Sequence, residues 1–328
     1  MASSSRFRSR QAQIAAAALL VSLCATAWAC SSGSAAQQTA QPLTLWSGIA
    51  ADFTNDLIRR FNAALPQNHI NLQTAQGGVV VVSAVDSGKG QLGLAPADIV
   101  YFAYRRGIEH NLYPHKNLRS IAVLWMNTFY VLVRQDSPFH SITDLKGRRV
   151  GIILPGTSGE FLTRIVLRVH GMSYADVQPT FQPTDQIVKK LGEKEIDAVF
   201  SSNPLMMTTA RALAETVPLR VLPIGRPEVN KLRGEIHPFL RPVTVAANQL
   251  RGQDKPVETL GTEWVLVCNS NLSEELVYQL TREFFAQLPA MARDHGEAAL
   301  IDPEDGPAAP IPLHAGAARY YREREILR

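Results

Sequence analysis

An α/β protein of two lobes with a ligand cleft between them is the fold class predicted for this 328-residue chain, and three observations predict it. Strand-like and helix-like stretches alternate from residue 42 onward, the pattern of parallel sheets covered by helices. A long strand-like stretch at 121–134 is answered by another near 259–267, as expected where a chain crosses between lobes twice. A glycine-rich turn, Pro155-Gly156-Thr157-Ser158-Gly159, stands between a strand and a helix, where sheets of this kind gather their ligands.

The first residues are set aside before the elements are read. Arg6, Arg8 and Arg10 precede an apolar run from Ile14 to Leu23 and the small-x-small pattern Ala27-Trp28-Ala29. This is an export signal over 1–29, followed by a Ser/Gly/Ala/Gln tether over 30–41. Cys30 has two readings: the lipid-modified first residue of a lipoprotein, or part of a chain freed by cleavage after Ala29 or Ala36. Without the signal, 30 basic residues face 29 acidic ones, so nothing in the charge favours nucleic-acid binding. Cys24 and Cys30 lie in the signal and tether, which leaves Cys268 as a small hydrophobe with no disulfide framework around it.

Leu43 to Trp46 reads as the first strand, ended by Ser47-Gly48. Phe53, Leu57, Ile58, Phe61 and Leu65 recur at helical spacing over 52–65, and 69–74 alternates as a strand. Gly77-Gly78 then breaks the chain before Val79-Val80-Val81-Val82, which by propensity alone is a strand. Leu92 to Ala95 is a short strand, and Asp98 to Arg106 a helix closed by Gly107. The single long strand 121–134 is followed by a strand at 149–153 and a helix at 160–170 that Gly171 terminates. Ile187, Val188 and Leu191 share one face of a helix over 184–191, and 196–200 is a strand. The Pro-, Arg- and Asn-rich stretch 225–258 is expected to be irregular surface. Ser273 caps a helix whose buried stripe is Leu276, Leu280, Phe284 and Leu288, and 302–312 is a loop. Lobe I is expected to comprise 42–133 and 262–328, and lobe II 134–261.

The Gly156 to Gly159 turn presents backbone N–H groups and a helix N-terminus to an anion, with Thr157 and Ser158 as hydroxyl donors. An ordinary strand-to-helix turn with a hydroxyl cap accounts for the same residues. Gly156-Thr157-Ser158-Gly159-Glu160 lacks the final glycine of a hydrolase elbow, and Asp86-Ser87-Gly88-Lys89-Gly90 lacks the spacing of a P-loop. No metal-ligand or nucleophile–base pattern is present, so no metal, cofactor or enzymatic role is expected. Trp46, Trp125, Tyr130 and Phe200 fall at or near strand ends, as cleft walls or as core, and Arg134 could meet an acidic ligand.

The string Pro312-Leu313-His314-Ala315-Gly316-Ala317-Ala318-Arg319-Tyr320-Tyr321 resembles the C-terminal signature of the TAXI family, the solute-binding proteins of certain TRAP transporters. Gly88 with Leu92 to Ala95 and Asp98, Leu118 to Leu124, Ser141 to Val150, and Glu195 to Phe200 with Asn203-Pro204 are similar to further family segments in the same order. The family register turns 79–87 into a short helix. The resemblance implies the type II periplasmic-binding-protein fold and capture of a small organic anion, glutamate- or 2-oxoglutarate-like. A TRAP permease would receive the ligand, with a membrane sensor or kinase as the alternative partner and a monomer as the expected state. It implies ligand contacts at Trp46, Ser47, Gly48, Gly78, Tyr130, Gly156, Thr157, Ser158, Gly159 and Asn203. Where the family usually carries Gly-Thr-Gly-Gly-x-Tyr-Tyr, this chain has Ser47 to Phe53 with an added Asp52, and Val81 replaces an Asn. Those departures favour a ligand less acidic than glutamate, one apolar in part, or no ligand at all.

Overall fold

The structure is a computed structural model and describes residues 42–48, 52–108, 112–202 and 206–327. The expected signal and tether, with Cys30, and Asn203 lie outside the described residues. Two sheets organise the rest. The first holds six strands: β1 (Leu43–Ser47), β2 (Ile70–Thr74), β3 (Leu92–Pro96), β4 (Leu118–Thr128), β10 (Arg241–Val245) and β11 (Val257–Asn269). β1 runs parallel to β2 and β3, while β11 is antiparallel to β3, β4 and β10. The second sheet has the order β7-β6-β8-β5-β9, formed by β5 (Tyr130–Arg134), β6 (Arg149–Ile152), β7 (Gln178–Phe181), β8 (Ala198–Ser201) and β9 (Leu219–Val221).

Each sheet is covered on both faces. α1 (Asp52–Ala64), α8 (Glu274–Asp294) and α9 (Ala315–Glu323) share one apolar cluster of lobe I, and α2 (Gly78–Asp86) and α3 (Ala97–Arg106) share another. In lobe II, α4 (Ser158–Val169) and α7 (Arg226–Glu235) cover one face, α5 (Thr184–Gly192) and α6 (Met206–Ala214) the other.

The valine run is helical because packing outweighs propensity. Val81, Val82 and Val85 are fully buried, and Gly93 leaves the space that Val81 and Val85 occupy, since a Cβ there would stand 2.7 and 2.9 Å from them. A valine gives up a few tenths of a kcal/mol of helix propensity, whereas its burial contributes about 1.5–3 kcal/mol.

Two expectations are corrected. The stretch 121–134 is two strands in different sheets, because the chain crosses between lobes at Phe129 and β5 pairs with β8 and β9. Residues 130–133 therefore pair in the second sheet, and Arg241–Val245 with 257–261, expected in lobe II, pair in the first. The stretch 225–258 holds α7 and β10 instead of irregular surface. Its patterning is faint because α7 buries only Val229 and Leu232, and β10 is an edge strand carrying Pro242.

The two crossing segments lie side by side. The Phe129 N–H donates to the Leu260 carbonyl at 2.9 Å, and the Thr259 hydroxyl donates to the Phe129 carbonyl at 2.7 Å. At Gly261 a Cβ would meet the Met126 sulfur at 2.8 Å and the Asn127 carbonyl at 3.0 Å, so the two segments pass as bare backbone.

Candidate functional site

Backbone geometry builds the cleft. Gly77, with φ +92°, precedes α2 and leaves its first turn without a side-chain cap. Opposite it, Thr157 precedes α4 and caps it: its hydroxyl accepts from the Glu160 N–H at 3.3 Å and donates to the Leu154 carbonyl at 2.7 Å. The ordinary-cap reading of Thr157 is thus correct as far as its hydroxyl goes. The two helices bring their positive ends together from opposite lobes, with first-turn N–H groups directed at the seam.

A cavity of about 40 Å³ lies between them. Lobe I lines it with Gly48, Gly77, Gly78, Pro96, Asn127 and Trp264, and lobe II with Ile153, Thr157, Ser158, Gly159 and Ser202. Nearly all of them stand at the carboxyl ends of strands or in the turns that follow. Gly159 has to be bare, because a Cβ would lie 2.9 Å from the Ser202 nitrogen and 2.7 Å from an Ile153 methyl. Among the described residues none of the lining side chains is charged, and the buried Trp264 indole N–H has no hydrogen-bond partner.

The lobes are closed on each other here. The Val79 N–H reaches the Gly156 carbonyl at 3.3 Å, and a Cβ on Gly77 would collide with that same carbonyl. The Ser158 hydroxyl donates to Asp98 Oδ2 at 2.8 Å. Asp98 is fully buried, and burial pushes its carboxyl up to about 6, against the opposing pull of the Ser158 hydroxyl and of the Ile99 and Asp98 backbone N–H groups. Beyond the cavity, Tyr101 stacks on His237 at 5.5 Å and Phe102 meets Phe161 at 5.0 Å. Burial holds His237 down at about 3, in its neutral form, and its Nδ1 accepts from the Phe239 N–H. A cavity of this size takes one or two water-sized groups, whereas small-ligand pockets run to about 300–1,000 Å³. A small organic molecule would fit here only with the lobes further apart, and the paired segments at Phe129 and Leu260 are where the chain passes between them.

Of the residues expected here, Gly48, Gly78, Thr157, Ser158 and Gly159 line the cavity, and Gly156 borders it through its carbonyl. Trp46 and Tyr130 do not. Trp46 leaves β1 on the face opposite Leu45 and Ser47 and lies over Gly90, which has no Cβ to obstruct it. Tyr130 packs with the apolar cluster of Leu132 and Met206 within lobe II. Ser47 is buried beside the cleft, where its carbonyl holds the Ala75 N–H. Arg134 is bound to Asp136 and the Gly192 carbonyl, and Trp125 and Phe200 are core. Asp52 is exposed at the start of α1 and Val81 is in the core, so neither of these two side chains lines the cavity, whereas Gly48 of the same departing stretch does. Sequence reasoning missed Asn127, Trp264 and Ser202. Asn127 and Trp264 lie within strands that read simply as apolar, and only the crossing between sheets turns them onto the cleft.

The C-terminal string lies elsewhere. His314 caps α9 by accepting the Gly316 N–H at 3.2 Å, and its other ring nitrogen lies 3.1 Å from the Leu272 carbonyl. The Tyr321 hydroxyl donates to the buried Ile121 carbonyl at 3.0 Å, and Arg319 reaches Glu275 at 2.8 Å while lying over the Tyr278 ring. Its work is to dock α9 on α8 and β4.

Comparison with known proteins agrees with this architecture. A family model described as the NMT1-like family matches residues 55–324. The solved structure of XAC2383 from Xanthomonas citri bound to ATP is 11% identical, with a TM-score of 0.55 over 88% of this chain and 100% of that one. A Listeria monocytogenes protein provisionally named an L-cystine ABC transporter is 10% identical, with a TM-score of 0.50 over 80% of this chain and 98% of its own. Both likenesses show the fold, the two-lobed α/β fold of periplasmic solute-binding proteins. A Brucella abortus (strain 2308) protein provisionally named a binding protein is 39% identical over 70 residues, 21% of this chain. That match spans 22%, about a fifth, of the Brucella protein's own length.

Proposed function

The chain belongs to the NMT1-like family, and from that premise we propose that it is an extracytoplasmic solute-binding protein that closes on a small organic anion and delivers it to a membrane permease. One observation carries the anion: the N-termini of α2 and α4 converge from opposite lobes on a cavity whose lining, among the described residues, holds no acid and no cation. Paired helix ends favour negative charge by about 0.3–1 kcal/mol each at exposed sites and by more where water is excluded. The Trp264 indole and the Asn127 amide add neutral donors. Proposed ligand contacts are therefore Gly78, Ser158, Gly159, Asn127 and Trp264. The C-terminal string supports a TRAP-type, ion-driven permease, while the name given to the Listeria protein favours an ATP-driven one.

A tryptophan-fluorescence and thermal-shift screen of the mature chain tests the ligand class. Small mono- and dicarboxylates, amino acids and their neutral amides form the panel. A carboxylate present at a hundred times its Kd should stabilise the protein by about 2.7 kcal/mol, and its amide should not. Binding of amides or amines alone would overturn the anion reading. Uptake of the solute by cells, measured with the ion gradient collapsed but ATP maintained, separates the permeases. Loss of uptake supports the TRAP type and persistence excludes it.

A further inference from the structure

Asp98 is an acid one hydrogen bond behind the anion site, and its surroundings give it a role. It lies in the first turn of α3, is 0% exposed, and its Oδ1 has no hydrogen-bond partner of normal geometry among the described residues. Charged groups on the elements around it are engaged elsewhere. Asp86 of α2 holds the Asn117 N–H, Glu160 of α4 holds Arg164 and the Tyr174 hydroxyl, and Glu263 of β11 holds Arg241. β3 carries no titratable side chain, His237 is neutral against Tyr101, and Arg106 lies over Phe102 at the far end of α3. Among the described residues no cation faces the carboxylate, so burial alone sets the direction of its shift.

Its one side-chain partner, Ser158, lines the cavity. A hydroxyl has a single proton. While Asp98 is ionised, Ser158 gives that proton to Oδ2 and turns only lone pairs toward the cavity, which repel an anion. A protonated Asp98 donates to Ser158 Oγ instead and frees the hydroxyl proton for the ligand. We infer that Asp98 is a proton-linked selector, so that a carboxylate ligand enters the cleft together with one proton that Asp98 takes from solvent, converting Ser158 from acceptor to donor. The inference rests on the anion reading above and names the residue through which that site discriminates charge.

Calorimetric titration of the mature chain with acetate, succinate, 2-oxoglutarate and L-glutamate, in buffers of differing ionisation enthalpy, counts the protons. The expected result is one proton taken up per carboxylate bound at pH 7.5, with affinity falling about tenfold per pH unit above pH 6. In Asp98→Asn the amide donates permanently to Ser158, so affinity at pH 7.5 should rise to the wild-type value at pH 5.5 and stay flat. Carboxylate binding without proton uptake, or an equal slope in the variant, would overturn this inference and leave the anion site standing. Failure of every carboxylate to bind would overturn both. Should Asp98→Asn not fold, the proton count on the wild type decides alone.

Discussion

The cleft and the C-terminal helix are built on opposite plans. The α9 segment is a run of distinctive side chains, each with a named partner: His314 on Gly316 and Leu272, Tyr321 on Ile121, Arg319 on Glu275. The cleft is mostly backbone and small residues drawn from turns far apart in the chain, Gly48, Gly77, Gly78, Ser158 and Gly159. A specific string marks a place where side chains must interlock. A binding site made from N–H groups leaves little trace beyond glycine, so the most recognisable part of this protein lies away from the cavity proposed as its binding site.

Substitutions in the two regions should therefore separate stability from binding. The largest effect is expected from Gly316→Val, since a Cβ there would strike the Glu274 carbonyl and lie 2.5 Å from the Tyr278 nitrogen. A loss of about 3 kcal/mol in denaturant melts, with ligand affinity kept in the fraction that folds, is the expected outcome. If affinity fell in proportion, the two regions would be coupled and the contrast would fail.

Gly77→Ala should do the reverse. Its Cβ would meet the Gly156 carbonyl only when the lobes close, so binding should weaken at least a hundredfold, about 2.7 kcal/mol. The melt should fall by about 1 kcal/mol, the cost of φ +92° for a residue with a Cβ. Solution scattering that showed the variant as compact as the wild type would contradict this account of closure.

Asp98→Asn sharpens the comparison by pH. A buried acid whose folded pKa is raised from 3.8 to about 6 contributes stability below pH 4 that is lost as pH rises to 6. Relative to wild type, the ligand-free Asn variant should therefore gain about 3 kcal/mol between pH 4 and pH 7, then stay level. A pH-independent difference would mean that Asp98 is not buried as a carboxylate. Tyr321→Phe is the smallest change: losing its bond to the Ile121 carbonyl should cost about 1 kcal/mol in the melt and leave binding unchanged.

Much of the fold was legible because periodicity and capping are local. The helix from Glu274 is written in Ser273 and a stripe of Leu280, Phe284 and Leu288. α7 and β10 were not legible, since two buried residues and an edge strand leave no period to read. Of the expected contacts, Ser158 and Gly159 of the glycine-rich turn line the cavity, and Trp46 and Tyr130 stand away from it. Strand position does not say which face of a sheet meets a cleft.

By itself the sequence determined the alternation of strands and helices, the glycine turn before α4, and the family-like string that docks α9. These depend on residues near one another in the chain. The helix at Val79 to Val82 came from the family-like register against local propensity, while tertiary structure alone decided that the chain would cross at Phe129 and that Asp98 and Ser158 would meet across a seam sixty residues apart in sequence. Each is settled by burial against distant partners, worth more per residue than any local preference.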